Sequence, residues 1–143
     1  MALLYGYAFS EQDEIRSVLS IAGPVGISAE LLANPATAPL LREPIEWLVG
    51  APIPTSGSDP NLQKYVQASP STYVNQALPT LLIHGTDDEL VPFGMVEAMK
   101  ASLDGAGIHN TLVELAGARH NFTENPIHAL MALNAVFDWI SAQ

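Results

Sequence analysis

Two apolar runs, each followed directly by side chains that can hold or transfer a proton, constrain the fold of this chain most. Residues 80–83 read as a buried strand that ends in His-Gly and then a turn with three consecutive acids. Residues 110–115 read as the next strand, which ends in Ala-Gly-Ala-Arg-His-Asn-Phe. A helix pattern separates the two runs, so the strands are expected to be parallel neighbours with their carboxyl ends at one sheet edge.

Alternating strand and helix patterns extend along most of the chain. Residues 1–9 have the composition of a helix that is ending, and residues 15–23 indicate a short buried strand closed by Gly-Pro. Residues 93–104 form a helix pattern that stops at glycines, and a last helix begins with Asn125 as its cap and Pro126 in its first turn. The inner face of this last helix is predicted to carry Ile127, Leu130, Met131, Phe137 and Ile140.

This alternation predicts the fold class. Strands that alternate with helices of this length imply right-handed crossovers between parallel strands. The sequence therefore predicts an α/β fold, in which helices cover both faces of a parallel sheet to give three αβα layers. At 143 residues, 1–143 is expected to be a single domain. Frequent prolines break residues 25–75 into an irregular, cap-like insertion, with short helices expected at 43–49 and 61–67.

Charge and composition exclude several classes of partner. The chain has fifteen Asp and Glu against five Lys and Arg, which gives a net charge of -10. Such a surface repels phosphate backbones and disfavours nucleic acid and anionic membranes as partners. Its apolar runs are shorter than the roughly 18 residues of a membrane span, so no span is expected. The amino terminus lacks the basic region of a signal peptide, and a cytoplasmic location is therefore expected.

Asp88 and His120 follow the two neighbouring strands and are expected to meet at the sheet edge. A carboxylate that accepts a hydrogen bond from an imidazole fixes the tautomer of the ring and stabilises the imidazolium that forms on proton uptake. An acid after a strand is by itself more often a turn or capping residue, but the paired positions favour a catalytic acid and histidine. Asp87, one residue earlier, is interpreted as a solvated turn or capping carboxylate.

The remaining histidines and serines receive structural interpretations. His84 ends its strand and is expected to be packed or hydrogen-bonded, while His109 and His128 are expected to face solvent. Ser58 and Ser71 lie in loops of the insertion and are interpreted as turn formers, since neither stands on a strand-to-helix elbow. No histidine pair has ligand spacing beside an acid, and no phosphate-binding glycine motif occurs, so neither a metal nor a cofactor is expected.

Three segments of the chain resemble a known family. They are residues 68–74, which read Ala-Ser-Pro-Ser-Thr-Tyr-Val, residues 78–92, which end in His-Gly-Thr-Asp-Asp-Glu-Leu-Val-Pro, and residues 115–122. Together they look like the carboxy-terminal half of a bacterial α/β-hydrolase of the esterase/lipase type, either hormone-sensitive-lipase-like or feruloyl-esterase-like. The family pattern H-G-x-x-D-x-x-V-P places its catalytic acid on Asp88, and G-A-x-H-x-F places its catalytic histidine on His120.

This resemblance implies a serine carboxylic-ester hydrolase that acts on small-molecule esters. His120 would be the general acid and base, and Asp88 would orient it. The nucleophile would stand in G-x-S-x-G, a motif that is absent from the 143 residues. The apolar start of the chain resembles the helix that follows this motif, so the serine is expected a few residues before Met1. The chain alone is therefore expected to be an inactive fragment, without nucleophile or oxyanion donors.

Two other functions stay open from the sequence. One is a fragment of a serine peptidase of the prolyl-oligopeptidase type, which places its acid and histidine similarly. The other is a non-catalytic binding or structural module of the same fold. We also expect a homo-oligomer joined through residues 1–22, because the strand there would lie at an open sheet edge beside Leu3, Leu4 and Tyr7.

Overall fold

The computed structural model of the chain describes residues 2–9, 15–27, 31 and 38–142. Its helices and strands are, in order, α1 (Ala2–Ala8), β1 (Val18–Ile21), α2 (Ala38–Val49), α3 (Leu62–Gln67), β2 (Thr80–Gly85), α4 (Phe93–Gly105), β3 (Asn110–Leu115) and α5 (Pro126–Ser141). Two 3-10 segments, Pro70–Gln76 and Phe122–Glu124, precede β2 and α5. None of the described helices has the length and apolar character to cross a bilayer.

The sheet has three parallel strands in the order β1-β2-β3. Thr80 of β2 pairs with Val18 on one side and with Asn110 on the other. All six residues of β2 are buried, as expected for a central parallel strand that is covered on both faces. The predicted α/β fold with a parallel sheet is therefore confirmed, and the carboxyl ends of β2 and β3 lie side by side.

Alternate residues of β2 face opposite layers of helices. Leu82 packs in a cluster with residues of α1 and α4, whereas Leu81 and Ile83 pack in a second cluster with residues of α5. The sheet thus separates α1 and α4 from α5, which gives the three αβα layers. A third cluster, on the insertion side, consists of Leu31, Ile45, Ala51, Tyr65 and Val91.

A buried hydrogen bond joins α1 to the central strand. The hydroxyl oxygens of Tyr7 and Thr80 lie 2.6 Å apart. Because the Thr80 hydroxyl donates its proton to the carbonyl oxygen of Leu78, at 2.7 Å, Tyr7 is the donor in this pair. Burial raises the pKa of Tyr7 from its ordinary value, although the hydrogen bond to Thr80 opposes that change. The phenol therefore stays protonated and able to donate at neutral pH.

Helix α5 begins where the sequence predicts but turns a different face to the sheet. The Asn125 side chain caps it by accepting a hydrogen bond from the amide of Ile127 at 3.0 Å, and Pro126 lies in the first turn. The residues buried against the sheet are Ala132 and Trp139. The prediction for the inner face is wrong, because the residues assigned to it are exposed: Ile127, Leu130, Met131, Phe137 and Ile140. This helix is apolar around most of its circumference, so a 3.6-residue period does not single out one face.

Trp139 fastens α5 to two distant parts of the chain. Its indole Nε1 donates to the hydroxyl oxygen of Ser17, just before β1, at 3.1 Å. The ring also stacks on His109, just before β3, with centroids 5.0 Å apart and planes at 15°. One side chain therefore contacts the amino-terminal approaches of both outer strands.

Two element boundaries differ from the sequence predictions. The strand predicted at 15–23 is shorter, since only Val18–Ile21 pairs with β2 and Ala22 has a left-handed φ of 50° that ends the extended conformation. The helix predicted at 43–49 begins earlier, at Ala38, so that Pro39 rather than Pro44 lies in the first turn. A proline in the first turn loses no helical hydrogen bond. Residues 28–30 and 32–37 of the predicted insertion fall outside the described residues, as do Met1 and residues 10–14.

Candidate active site

The turn after β2 buries Asp88 and binds its carboxylate through backbone amides. Oδ1 of Asp88 accepts hydrogen bonds from the backbone amides of Leu90 and Val91, each at 2.8 Å. These bonds make the acid the organising residue of the turn that leads into α4. The Asp88 side chain has no exposed surface, so both of its oxygens are available only to neighbouring groups of the protein.

The loop after β3 is bonded to this turn along its length. The amide of Thr86 donates to the carbonyl of Leu115 at 3.1 Å, and the amide of Asp87 donates to the carbonyl of Ala118 at 3.0 Å. The amide of Gly117 donates in return to the hydroxyl oxygen of Thr86 at 2.8 Å. These bonds extend the β2–β3 pairing beyond the strands and bring the next residues of the loop over Asp88.

Gly85 permits this close approach of the two loops. A Cβ atom at Gly85 would collide with the carbonyl group of Ala118 and would also crowd the carbonyl oxygen of Arg119. Both neighbours are backbone atoms, which cannot move aside as a flexible side chain would. The absence of a side chain at Gly85 therefore sets how near the histidine-bearing loop can come to the acid-bearing turn.

Asp88 and His120 are in direct contact at this edge. Nδ1 of His120 lies 2.9 Å from Oδ2 and 3.2 Å from Oδ1 of Asp88. The histidine side chain is one-third exposed, at 34%, whereas the carboxylate is fully buried. Because Nδ1 is engaged by the acid, Nε2 is the nitrogen on which this ring can exchange a proton with a substrate or a nucleophile. The arrangement can orient an imidazole and stabilise its protonated form.

The surroundings of Asp88 keep it ionised. Burial by itself pushes the pKa of Asp88 upward, but hydrogen bonds from His84, the Val91 amide, His120 and the Leu90 amide outweigh it and lower the pKa to about 2. At neutral pH the residue is therefore a buried anion with its donors in place. An ionised acid is the form that can accept a hydrogen bond from Nδ1–H of His120.

A second acid, Glu89, binds the backbone of the loop that follows β3 and carries His120, here called the histidine loop. Its Oε2 accepts a hydrogen bond from the amide of His120 at 3.2 Å, and its Oε1 lies 3.1 Å from Nη2 of Arg119. Glu89 was not among the residues predicted from the sequence to belong to the site. The sequence did contain a signal for this contact. Arg119, directly before His120, has the charge opposite to that of the three consecutive acids in the turn after β2.

His84 is structural in position, as predicted, but it also contacts the acid. Its Nε2 lies 2.9 Å from the carbonyl oxygen of Val91 and 3.1 Å from Oδ2 of Asp88. The residue is fully buried. Asp88 is thus flanked by two imidazoles, one buried and one open to solvent.

The other candidates do not join this site. Asp87 is exposed, and its carboxylate lies 3.3 Å from the Thr86 hydroxyl rather than against the histidine. Ser58 and Ser71 are both exposed and neither follows a strand. Across the described ranges, no group of three or more His, Cys, Asp or Glu side chains is arranged to hold a metal ion.

His109 and His128 also lie elsewhere. His109 is exposed, as predicted, although its ring stacks on Trp139. His128 is half-buried in the first turns of α5 rather than facing solvent, so that prediction is only partly correct.

A family model described as BD-FAE matches residues 4–103, which is more than half of the chain. The chain belongs to this α/β-hydrolase esterase family. The match includes β1, β2 and the turn with Asp88, and it ends before β3 and the histidine loop. No curated protein sequence matches the chain.

Solved structures with the same fold include peptidases and esterases. An acylaminoacyl peptidase from Pyrococcus horikoshii is 17% identical, with a TM-score of 0.70 over 98% of this chain and 22% of its own. An esterase from the planctomycete Thermogutta terrifontis, solved with butyrate, is 22% identical, with a TM-score of 0.54 over 85% of this chain and 42% of its own. A truncated carbohydrate esterase from gut microbiota is 21% identical, with a TM-score of 0.53 over 85% of this chain and 43% of its own. The chain thus spans about a fifth of the peptidase and less than half of either esterase.

Proposed function

We propose that this chain carries the acid and base of a serine carboxylic-ester hydrolase. The observation that carries the proposal is the 2.9 Å contact between His120 Nδ1 and Asp88 Oδ2 at the carboxyl ends of two neighbouring parallel strands. Membership of the BD-FAE family supports the hydrolase class. Asp88 and His120, the residues to which the motifs H-G-x-x-D-x-x-V-P and G-A-x-H-x-F assign the acid and the histidine, are in contact.

In this proposal His120 acts as general base and then as general acid. Its Nε2 takes the proton of a serine hydroxyl as the hydroxyl oxygen attacks the ester carbonyl, and it then returns the proton to the departing alcohol. The second half of the reaction repeats these transfers with water in place of serine. Asp88 stays ionised throughout and stabilises the positive charge on the ring.

The nucleophile is not supplied by these 143 residues. No G-x-S-x-G occurs in the sequence, and the exposed serines Ser58 and Ser71 are remote from a strand-to-helix elbow. We therefore propose that the serine and the oxyanion donors belong to polypeptide outside this sequence. On its own the chain is expected to hydrolyse esters no faster than free imidazole does, because the residues that attack the carbonyl and stabilise its oxyanion are lacking.

A peptidase of the acylaminoacyl type is the second candidate. The likeness to acylaminoacyl peptidase extends over 98% of this chain with TM-scores of 0.67 and 0.70, compared with 0.53 to 0.55 over 85% to 91% for esterases. The acid and histidine would have the same roles in either enzyme. The two candidates differ only in the leaving group that is displaced from the acyl carbon, an alcohol or an amine.

The first test uses the chain as it stands. A fluorophosphonate probe should leave it unlabelled, and p-nitrophenyl acetate and butyrate should be hydrolysed at the rate of an imidazole control. His120→Ala should lower that rate by no more than the share of one exposed imidazole. Stoichiometric labelling of Ser58 or Ser71 would contradict the proposal, since it would place an activated nucleophile within the chain.

The second test joins the chain to whatever polypeptide is encoded in frame ahead of Met1. If that segment contains G-x-S-x-G, the joined protein should be labelled by fluorophosphonate and should hydrolyse p-nitrophenyl butyrate. Activity should be abolished by His120→Ala and reduced by Asp88→Asn, as for other members of a triad. Faster cleavage of an acyl-peptide p-nitroanilide than of the esters would favour the peptidase. A joined protein that carries the motif and cleaves neither substrate would favour a non-catalytic module.

A further inference from the structure

The carboxylate of Asp88 faces four donor groups, and one of them, Nδ1 of His120, lies within hydrogen-bonding distance of both oxygens. Oδ1 accepts from the amides of Leu90 and Val91, each at 2.8 Å. Oδ2 faces two imidazole nitrogens, Nε2 of His84 at 3.1 Å and Nδ1 of His120 at 2.9 Å. A carboxylate offers about four lone-pair positions, so this set occupies all of them and leaves the group no free rotation.

The geometry around His84 fixes where its proton lies. Its Nε2 faces the carbonyl oxygen of Val91, at 2.9 Å, and Oδ2 of Asp88, at 3.1 Å. A carbonyl oxygen can only accept a hydrogen bond, and an ionised carboxylate can only accept one as well. Nε2 must therefore carry a hydrogen, which bonds to the Val91 carbonyl and lies within reach of Oδ2 of Asp88.

The placement of this donor is specific to the acid. His84 is the last but one residue of β2, so its ring is fixed in the sheet, while Asp88 lies in the turn that follows. The carbonyl of Val91 accepts a hydrogen bond from Nε2 of His84. The amide of the same residue donates to Oδ1 of Asp88. His84 thus contacts two residues of the same turn, Val91 and Asp88. Its contact with Asp88 is to Oδ2, the oxygen that lies nearer to His120.

We propose that His84 is a positioning residue for the proposed hydrolase site: its Nε2–H holds Oδ2 of Asp88 turned toward Nδ1 of His120. The catalytic use of this positioning rests on the proposed function. The contacts themselves exist whether or not the chain hydrolyses esters. His84 does not touch substrate in this scheme. It acts through the orientation and the ionisation of Asp88, and it provides the largest of the hydrogen-bond contributions that lower the pKa of Asp88.

The titratable and charged groups near the pair come from three segments. His84 lies on β2, Asp87 and Glu89 flank Asp88 in the turn, and Arg119 precedes His120 in the histidine loop. Arg119 is engaged by Glu89 at 3.1 Å. In the described part of the chain, the groups that donate to the Asp88 carboxylate are the two imidazoles and the two amides named above.

The experiment measures Asp88 and the two imidazoles directly by NMR on the intact 143-residue chain. The carboxyl carbon of Asp88 is titrated by its ¹³C shift, and the imidazole nitrogens are assigned by their ¹⁵N shifts. His84→Leu removes the donor while keeping an apolar side chain of similar size, and His84→Gln keeps an N–H donor at about the same reach. Asp88→Asn serves as the reference in which the acid itself is lost.

In the wild-type chain, Nε2 of His84 should carry a hydrogen, and a hydrogen-bonded Nδ1 proton of His120 should be visible. His84→Leu should raise the midpoint of the Asp88 titration by about one pH unit and should broaden the His120 Nδ1 proton by exchange with water. His84→Gln should restore both signals most of the way to wild type. A His84 that packs without positioning the acid would leave both signals unmoved in His84→Leu.

Two results would overturn the inference. One is an unprotonated Nε2 on His84 in the wild-type chain, a measurement that needs no variant to fold. The other is a folded His84→Leu chain whose Asp88 midpoint and His120 proton match the wild type. If Asp88→Asn also leaves the His120 proton unchanged, the acid–histidine pair itself is absent and the proposed function fails. If Asp88→Asn abolishes the signal and His84→Leu does not, only the role of His84 fails.

Discussion

Oε2 of Glu89 accepts a hydrogen bond from the backbone amide of His120, across 31 residues of sequence and at a distance of 3.2 Å. The same carboxylate bonds Arg119 through Oε1 at 3.1 Å. The acid turn after β2 therefore grips the histidine loop at two points: Asp88 holds the imidazole, and Glu89 holds the backbone that carries it. A histidine whose main chain and ring are both fixed has little freedom to leave the orientation set by Asp88.

Replacing Glu89 should loosen the histidine loop without unfolding the chain. In Glu89→Ala the amide of His120 loses its acceptor and should exchange with deuterium severalfold faster than in the wild type. Glu89→Gln, which keeps an acceptor oxygen, should protect the amide more than alanine does. Glu97→Ala removes an exposed glutamate from α4 and is the matched control. Equal exchange of the His120 amide in all four chains would show that Glu89 does not hold the loop.

Gly85→Ala should be the most damaging small substitution near the site. The added Cβ meets the Ala118 carbonyl, so the two loops must separate, at a cost of about 1–3 kcal/mol in the free energy of unfolding. Gly94→Ala is the control, since a Cβ there meets nothing within 4 Å and an alanine favours the helix. Urea unfolding of the three chains measures the effect. Equal stabilities of Gly85→Ala and wild type would mean that the loops do not approach as described.

The stability of the chain should fall in acid as Asp88 is protonated. The pKa of Asp88 is lowered from 3.8 to about 2 in the folded chain, so its contribution to stability is full above about pH 4 and is lost as the pH falls through 2. A shift of this size corresponds to about 2 kcal/mol. In Asp88→Asn, which cannot ionise, this part of the pH dependence should be absent. Urea unfolding between pH 2 and pH 5 would reveal it, and parallel curves for the two chains would contradict it.

Removing the phenolic hydroxyl of Tyr7 should weaken the attachment of α1 to the sheet. Tyr7→Phe leaves the oxygen of Thr80 without its donor in a buried position, which should lower the free energy of unfolding by about 1 kcal/mol. In a Thr80→Val background the same change should cost less, because no acceptor is left unpaired. Additive effects of the two substitutions, measured by urea unfolding, would mean that the hydrogen bond contributes nothing.

The homo-oligomer expected through residues 1–22 stays a prediction, and of the two features that supported it only the open edge of β1 remains. Leu3, Leu4 and Tyr7 are buried in the core of the chain and cannot provide the exposed surface on which that expectation relied. Within the part of the chain that the structure describes, β1 pairs only with β2, and Ile21 on it is 47% exposed. An open strand edge of this kind favours pairing with another strand.

Light scattering at micromolar concentration tests that prediction. The wild-type chain should be larger than a monomer, and Ile21→Lys should shift it toward the monomer. Trp47→Lys, which removes an exposed apolar group outside residues 1–22, should leave the mass unchanged. A monodisperse wild-type monomer with a cooperative melt would contradict the expectation.

The parts of the fold that the sequence predicted are those with local signals. The bounds of β3 and the start of α5 follow from an apolar run, from the Asn125 cap and from Pro126, and each of these depends on neighbouring residues only. The contact between Asp88 and His120 could be predicted because parallel strands joined by one helix bring their carboxyl ends together. Their catalytic role stays a prediction.

The parts that could not be predicted depend on distant partners. The inner face of α5 is selected by what the sheet presents to it, since the helix is apolar nearly all round. The bond from His120 to Glu89 and the bond from Trp139 to Ser17 span 31 and 122 residues, and both depend on strand register. The contact between His84 and Asp88 could not be predicted, because a buried histidine in a strand is usually a packing residue.

Because Trp139 is fixed between α5 and the sheet, its intrinsic fluorescence can report on the contact between them. Of the two tryptophans, Trp139 is buried between the approaches to β1 and β3, whereas Trp47 on α2 is 86% exposed. In a Trp47→Phe chain, all indole emission would come from Trp139, which belongs to the last helix and contacts Ser17 and His109 just before the two outer strands. Its wavelength and its quenching by iodide would then report the detachment of α5 from the sheet, separately from the loss of helix that circular dichroism records.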